Sequence, residues 1–325
     1  MYHIISHNDL DGYGSAYLVR EKLTSDGIEK KNINIINTDY SKELDLDQFK
    51  KGDTIYITDF SLKPENMNEL FHKGINNIIW IDHHKSALDY KQDYLYNEKI
   101  KGLQEVGMSA TALTWVWFYA SDKIKRGTIE EQEAWLEENA PKWVVLVDVW
   151  DCWKLNNKNR EEAEQLNTAV SNILSYDVIR ELSGYNLLNS YLNKGKTYIE
   201  CMKEYSESYL KKYAFEVTIE VNYKKYNGIV INRGACGSKS FNDLINKYDV
   251  CISFASDGEK VTTSLYSNKD YFDCSKICKI LGGGGHKGAA GFVLDLTDRN
   301  LYDYFHKNAL WLFKIDDWEG GYYGN

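Results

Sequence analysis

A pattern repeated through the first 85 residues constrains the fold more than anything else in this sequence: apolar runs of strand length, each closed by polar or acidic residues. Tyr2–His7 leads into Asn8-Asp9, Asn32–Asn37 into Thr38-Asp39, Thr54–Thr58 into Asp59, and Asn77–Ile81 into Asp82-His83-His84. After the first run, the segment from Gly12 carries Ala16, Val19 and Leu23 at helical spacing. Strands separated by helical segments predict an α/β fold whose mostly parallel sheet is covered by helices on both faces. Ligands of such sheets sit at the carboxyl ends of the strands. Here that rim collects acids and imidazoles.

At 325 residues, 43% of them hydrophobic and 14% aromatic, the chain can bury the cores of two domains. Its apolar stretches, such as Trp115 to Ala120 and Trp143 to Val147, are far shorter than the roughly 20 residues of a membrane span. The opening Tyr2-His3-Ile4-Ile5-Ser6 has no basic segment or cleavage site, so a cytoplasmic protein without a membrane partner is expected. The six scattered cysteines read as reduced and mostly buried, Cys274 and Cys278 included, since no second ligand pair completes a metal site there. A net charge of −9, from 39 basic and 48 acidic residues, argues against a grip on long duplex DNA, which requires a basic footprint.

From Ser109 to Trp153 the pattern turns helical, with six of the nine tryptophans between 115 and 153. An aromatic core flanking the sheet is the expectation. Leu192–Lys212 reads as a helix linking a domain at 1–191 to one at 213–325. The latter is a smaller α/β block with strand runs Phe215–Val221, Gly228–Asn232, Val250–Ala255 and Val261–Tyr266, a helical Cys274–Leu281, and a glycine run at Gly282–Gly285. The acidic, aromatic residues Asp316 to Asn325 suggest no role.

On the rim, His7-x-Asp9-x-Asp11 follows a strand. If the segment stays extended, alternate residues point one way, and like charges so directed need a cation between them. Gly12-x-Gly14 imitates a dinucleotide-binding turn, but Tyr17 stands where a third Gly or Ala belongs, and Asp9 and Asp11 would repel a pyrophosphate. Adjacent His83 and His84 after Asp82 form the sharper signal. Imidazoles and carboxylates without thiolates suit Mn²⁺, Co²⁺, Fe²⁺ or Zn²⁺, with carboxylate excess leaning to Mn²⁺. A pair of such ions about 3.5–4 Å apart clamps a phosphoryl oxygen.

Taken together, His7-Asn8-Asp9-Leu10-Asp11-Gly12, Asp59, Asp82-His83-His84 and Gly282-Gly283-Gly284-Gly285-His286-Lys287-Gly288-Ala289-Ala290-Gly291 resemble the DHH phosphoesterase superfamily. The nearest resemblance is to members with the associated C-terminal domain, the RecJ-like exonucleases and nano-RNases. The resemblance implies two ions, Mn²⁺ foremost with Mg²⁺, Co²⁺ or Zn²⁺ as alternatives. It puts His7 and Asp9 on one ion, Asp11 and His83 on the other, and Asp59 between them. Asp82 would orient the histidines and His84 would contact the scissile phosphate. A further aspartate comes from Lys142–Asp151, with Asp151 preferred and Asp148 competing. Gly283, Gly284, Gly285 and His286 would grip the nucleotide. A position that is commonly Arg in these proteins is Tyr266 here, which can stack or hydrogen-bond but cannot neutralise a phosphate.

The expected activity is hydrolysis of short oligonucleotides to mononucleotides by a metal-activated hydroxide. The alternatives are a phosphatase or phosphodiesterase on a small nucleotide, such as a 3′-phosphonucleotide or cyclic dinucleotide, and a non-catalytic nucleotide-binding regulator.

Overall fold

In a computed structural model, residues 1–295 are described except 222 and 235, together with 314 and 315. The segment Asp316–Asn325 lies outside the described residues. The chain forms two compact units, Met1–Ile199 and Glu200–Asn325.

The first unit contains β1 (Tyr2–His7), α1 (Leu10–Ser25), β2 (Ile33–Thr38), β3 (Thr54–Thr58), α2 (Pro64–His72), β4 (Asn77–Ile81) and α3 (Lys85–Leu88). Helices α4 (Ala110–Tyr119), α5 (Asp122–Lys125), α6 (Ile129–Asn139), α7 (Lys142–Asp151), α8 (Arg160–Val170) and α9 (Tyr176–Leu182) follow. The strands run parallel in the order β2-β1-β3-β4. Their register aligns Ile5 with Ile57 and Ile57 with Trp80, and all three face a core completed by Met67, Leu70 and Phe71 of α2. On the other face Ile4 meets Ala16, Val19 and Leu23 of α1, while Ile79 and Ile81 join Leu113, Trp143, Val144 and Leu166 from the helical segment. A period of two thus feeds two cores at once, and every strand must end in polar residues at the rim. Trp143 is fully buried, and Trp115, Trp117, Trp135 and Trp150 pack against the same cluster, as an aromatic core requires.

Helix α10 spans Tyr185–Tyr213, so the division between the units falls inside it. The second unit holds β5 (Phe215–Val221), β6 (Lys224–Asn232), α11 (Leu244–Lys247), β7 (Val250–Ser256), β8 (Lys260–Tyr266), α12 (Cys274–Ile280), β9 (Gly284–His286), β10 (Ala289–Asp295) and β11 (Lys314–Ile315). They form one mixed sheet, β11-β5-β6-β7-β8-β10-β9. One face packs Ile252, Val261, Leu265 and Phe292 under α12, and the other packs Ile229, Ile231 and Cys251 with Phe241 and Leu210. Cys274 and Cys278 are buried on the first face, and burial pushes their thiols up to about 12 and about 11. They remain protonated core residues. Among the described residues no helix is long and apolar enough to cross a membrane.

Candidate metal centre

The carboxyl ends of β1, β3 and β4 deliver the rim residues to one place. His7 closes β1, and its Nδ1 lies 2.7 Å from Asp9 Oδ2. Asp9 is the N-cap of α1, accepting the Gly12 amide at 3.0 Å. Only glycine fits at position 12, because a Cβ would approach the His7 carbonyl oxygen to 2.1 Å. That approach lets α1 begin two residues after the strand, so the segment is not extended throughout. Asp11 enters from the first helical turn and not by strand alternation. It is 2% exposed, and its two oxygens accept the amides of Thr111 at 2.8 Å and Ala110 at 2.7 Å. The carboxylate therefore sits on the positive end of α4.

Asp59 follows β3 in a left-handed conformation, φ +52°, which is costly for a residue with a Cβ. It is 1% exposed. Its Oδ2 faces His7 Nδ1 at 3.9 Å, while Oδ1 faces His83 Nε2 at 3.3 Å and His84 Nδ1 at 3.8 Å. One carboxylate thus spans two groups of donors, His7 with Asp9 on one side and His83 with His84 on the other. Asp82, at the end of β4, is fully buried. Its Oδ1 accepts His84 Nδ1 and the His83 amide, each at 2.8 Å, and its Oδ2 accepts the Ser61 hydroxyl.

The two aspartates of α7 separate cleanly. Asp148 is saturated: Oδ1 accepts the Ser109 amide at 2.8 Å and Oδ2 pairs with Lys154 Nζ at 2.6 Å. Asp151 reaches the cluster, its Oδ2 lying 3.2 Å from His83 Nε2. Cys152 was not anticipated as a neighbour of the site. Its Sγ lies 4.0 Å from His83 Nδ1 and 3.9 Å from Asp148 Oδ1, and burial raises its thiol. Tyr40 was also missed. Its ring stacks on Phe60 at 4.7 Å and lies 6.0 Å from the His7 ring and 6.4 Å from that of His84. Its place just past Thr38-Asp39, at the end of β2, was the available signal.

The electrostatics call for cations. Burial, followed by the charges of Asp11, Asp9 and Asp151, holds Asp59 well above the usual carboxylate range. Burial, with Asp11 and Asp9, raises Asp151 to about 8. Burial alone would raise Asp9, but hydrogen bonds from His7 and Gly12 bring it to about 2. The hydrogen bond to Asp82 raises His84 against the opposing effect of burial. Asp59 Oδ2 and His83 Nε2 are buried without a hydrogen bond, although carboxylate oxygens surround the latter. Ligand atoms aimed at a common point rather than at one another suit divalent ions, and such ions would relieve the mutual repulsion of the acids.

The second unit carries the other expected residues. Gly285 adopts φ +137° and a Cβ there would come within 2.6 Å of Ala290, so glycine lets β9 lie tight against β10. His286 is exposed and pairs with Ala289. Gly283 donates to the Cys278 carbonyl at 2.7 Å, closing α12, and Gly284 faces open space. Tyr266 donates its hydroxyl proton to the Cys236 carbonyl at 2.5 Å and packs its ring near Phe241.

Two outcomes follow from this geometry. Asp151→Asn lowers the rate by about a hundredfold or more, whereas Asp148→Asn acts mainly on stability, by on the order of 2 kcal/mol through the lost Lys154 and Ser109 contacts. Steady-state rates and denaturant unfolding of both variants check this, and the reverse order would move the ligand to Asp148. Because the folded pKa of Asp151 lies above the unfolded one, its bound proton stabilises the metal-free chain below the ordinary carboxylate range. That contribution fades as pH climbs through about 8. The Tm in chelator therefore falls from about pH 5 to about pH 8, while added divalent ion stabilises most at the higher pH. Parallel slopes with and without ion would contradict this.

No protein-family model matches the chain. Over 97% of its length it is 28% identical to the oligoribonuclease NrnB of Bacillus subtilis (strain 168), of which it covers 77%. It is 23% identical to the uncharacterized protein R106 of Acanthamoeba polyphaga mimivirus, across 87% of this chain and 65% of that one. Among solved structures, the pGpG-specific phosphodiesterase PggH of Vibrio cholerae shares the fold, with a TM-score of 0.51 and 13% identity over 92% of this chain and 95% of that one. The rim acids and paired histidines thus converge in one centre, in a chain that is similar along nearly its whole length to an oligoribonuclease.

Proposed function

We propose that the protein is a metal-dependent phosphodiesterase that hydrolyses short oligonucleotides to mononucleotides, with Mn²⁺ as its preferred ion. The observation that carries this reading is Asp59, whose two oxygens face two separate donor groups from one buried position. The similarity to an oligoribonuclease over 97% of the chain supports the substrate class. His7, Asp9 and Asp59 would hold one ion, and Asp59, His83, Asp11 and Asp151 the other. The surplus of carboxylate over imidazole favours Mn²⁺. Bound there, the ions supply Lewis acidity to the phosphoryl group and lower the pKa of a water molecule.

The residues of the chain do the rest. Asp82 takes the hydrogen bond of His84 Nδ1, which fixes the ring and leaves Nε2 for the substrate. With its proton affinity raised by Asp82, His84 can donate to a non-bridging phosphoryl oxygen as negative charge grows there. Water adds to phosphorus, the P–O bond to the leaving nucleoside breaks, and the leaving oxygen departs as an alcohol. We assign this chemistry to residues 1–191, linked through residues 192–212 to a recognition domain at 213–325. There Gly283, Gly284, Gly285 and His286 hold the nucleotide. The net charge of −9 leaves little surface for neutralising a long phosphate backbone.

Chelation is expected to abolish turnover and Mn²⁺ to restore it best among Mn²⁺, Mg²⁺, Co²⁺ and Zn²⁺. Asp59→Ala should lose both metal and activity, and retention of the full metal complement would remove Asp59 from the centre. On end-labelled substrates, kcat/KM should be higher for two- to five-nucleotide oligomers than for 20-mers, and His286→Ala should raise KM with metal content intact. A kcat/KM that increases with length, or preferential cleavage of cyclic dinucleotides or 3′-phosphonucleotides in the same panel, would replace the proposed substrate.

A further inference from the structure

The strand register of the second unit lines up side chains on one face of its sheet. Ile229, Cys251, Tyr266, Ala289 and His286 form one row. The next row, about 7 Å along the strands, is Ile231, Ser253, Ser264, Gly291 and Gly284. Its last four members are small: two hydroxyls followed by two positions without a side chain. They leave a low, polar lane beside the row that ends in His286. A cavity of about 410 Å³ opens over the Ser253–Ser264 end of this lane, and Arg233 lines it with Ala255 and Thr262.

Arg233 stands just past β6, two residues beyond Ile231, and is held from behind by α10. Its Nη1 donates to the buried Ser206 hydroxyl at 3.2 Å, and its guanidinium lies 5.1 Å and 5.8 Å from the ring centroids of Tyr205 and Tyr209. Tyr209 also donates its hydroxyl to the Asn232 carbonyl, and Tyr266 donates to that of Cys236. Both ends of the Arg233 turn are therefore pinned by tyrosines. The carboxylate of Asp257 lines the same cavity, and its Oδ1 is taken by the amides of Glu259 and Lys260.

We infer that this lane is an anion subsite for the terminal phosphate of a nucleotide, with Arg233 as its cation and Ser253 and Ser264 as hydroxyl donors. A guanidinium stacked on aromatic rings keeps its charge and a fixed orientation, and its planar fork matches phosphate oxygens. The aromatic backing lowers the entropy lost on binding. The cation that Tyr266 cannot supply thus comes from a different strand, and Tyr266 helps to hold the turn that carries it. This inference deepens the proposed function and rests on its assignment of a nucleotide substrate.

Binding of AMP and of adenosine to the full-length, metal-loaded protein, measured by calorimetry, tests it without requiring turnover. Arg233→Ala should weaken AMP about tenfold or more, as expected for lost charge-assisted hydrogen bonds, and leave adenosine unchanged. Arg233→Lys, which keeps a cation over the tyrosines but loses the fork, should weaken AMP severalfold, and it decides the matter if the alanine variant fails to fold. AMP affinity unchanged in either folded variant, or AMP and adenosine weakened alike, would overturn the subsite. Arg233-dependent AMP binding in a protein that cleaves no oligonucleotide would keep the subsite and reject the proposed activity. Normal cleavage with Arg233-independent binding would do the opposite.

Discussion

The first unit is organised around the mutual repulsion of carboxylates that it forces together. Asp9, Asp11, Asp59 and Asp151 bear on one another through a poorly solvated rim, and burial is the leading cause of the raised pKa of both Asp59 and Asp151. Several buried charges of one sign cost several kcal/mol each unless something compensates. Two helix N-termini provide part of the compensation, α1 at Asp9 and α4 at Asp11. The remainder falls to imidazoles and to the cations for which their free atoms are aimed. The large apolar cores on both faces of the sheet make this tolerable, since they hold the strand ends in place whatever the charges prefer.

The scaffold around this centre is also built from acids, and the difference lies in what fills their lone pairs. Asp82 is as buried as Asp59, yet its oxygens accept from His84, two backbone amides and Ser61. Those partners, above all His84, lower its pKa against the upward pull of burial. It is a permanent anion that orients its neighbours. Asp59 has no comparable set of donors, and its Oδ2 is buried without a hydrogen bond. The left-handed backbone at Asp59 points the same way, because strain persists where the surrounding structure over-determines a residue needed in one place.

Much of this was legible in the sequence because two-sided burial leaves a strong mark. Runs such as Ile55-Tyr56-Ile57 and Ile78-Ile79-Trp80-Ile81 cannot continue into Asp59 or Asp82 without leaving the core, so the rim residues announce themselves. The approach of Asp11 did not, since it depends on the helix starting at Leu10, which Gly12 permits through a contact with a backbone oxygen. The glycine run carries no strand pattern, whereas Gly284–His286 is itself a strand paired with β10. Arg233 was invisible for a different reason. Its significance comes from cross-strand register with residues about 30 and 60 positions downstream, and no local pattern encodes that.

The pair Asp148 and Asp151 shows how position on a helix fails to assign a role. Three residues apart, they project from the same side of α7, and no periodicity separates them. What separates them is Lys154, which lies beyond the helix end and returns its ammonium to Asp148 Oδ2. That return is made possible by Trp153, whose left-handed φ of +50° turns the chain back at the helix terminus. Asp148 then ties α7 to Ser109, the N-cap of α4, and the next two amides of α4 hold Asp11. A single chain of hydrogen bonds therefore runs from α7 through the start of α4 to Asp11 at the start of α1. Asp148 fixes the place where Asp11 meets His83, and Asp151, with its oxygen directed at His83 and no lysine to satisfy it, is left to the centre itself.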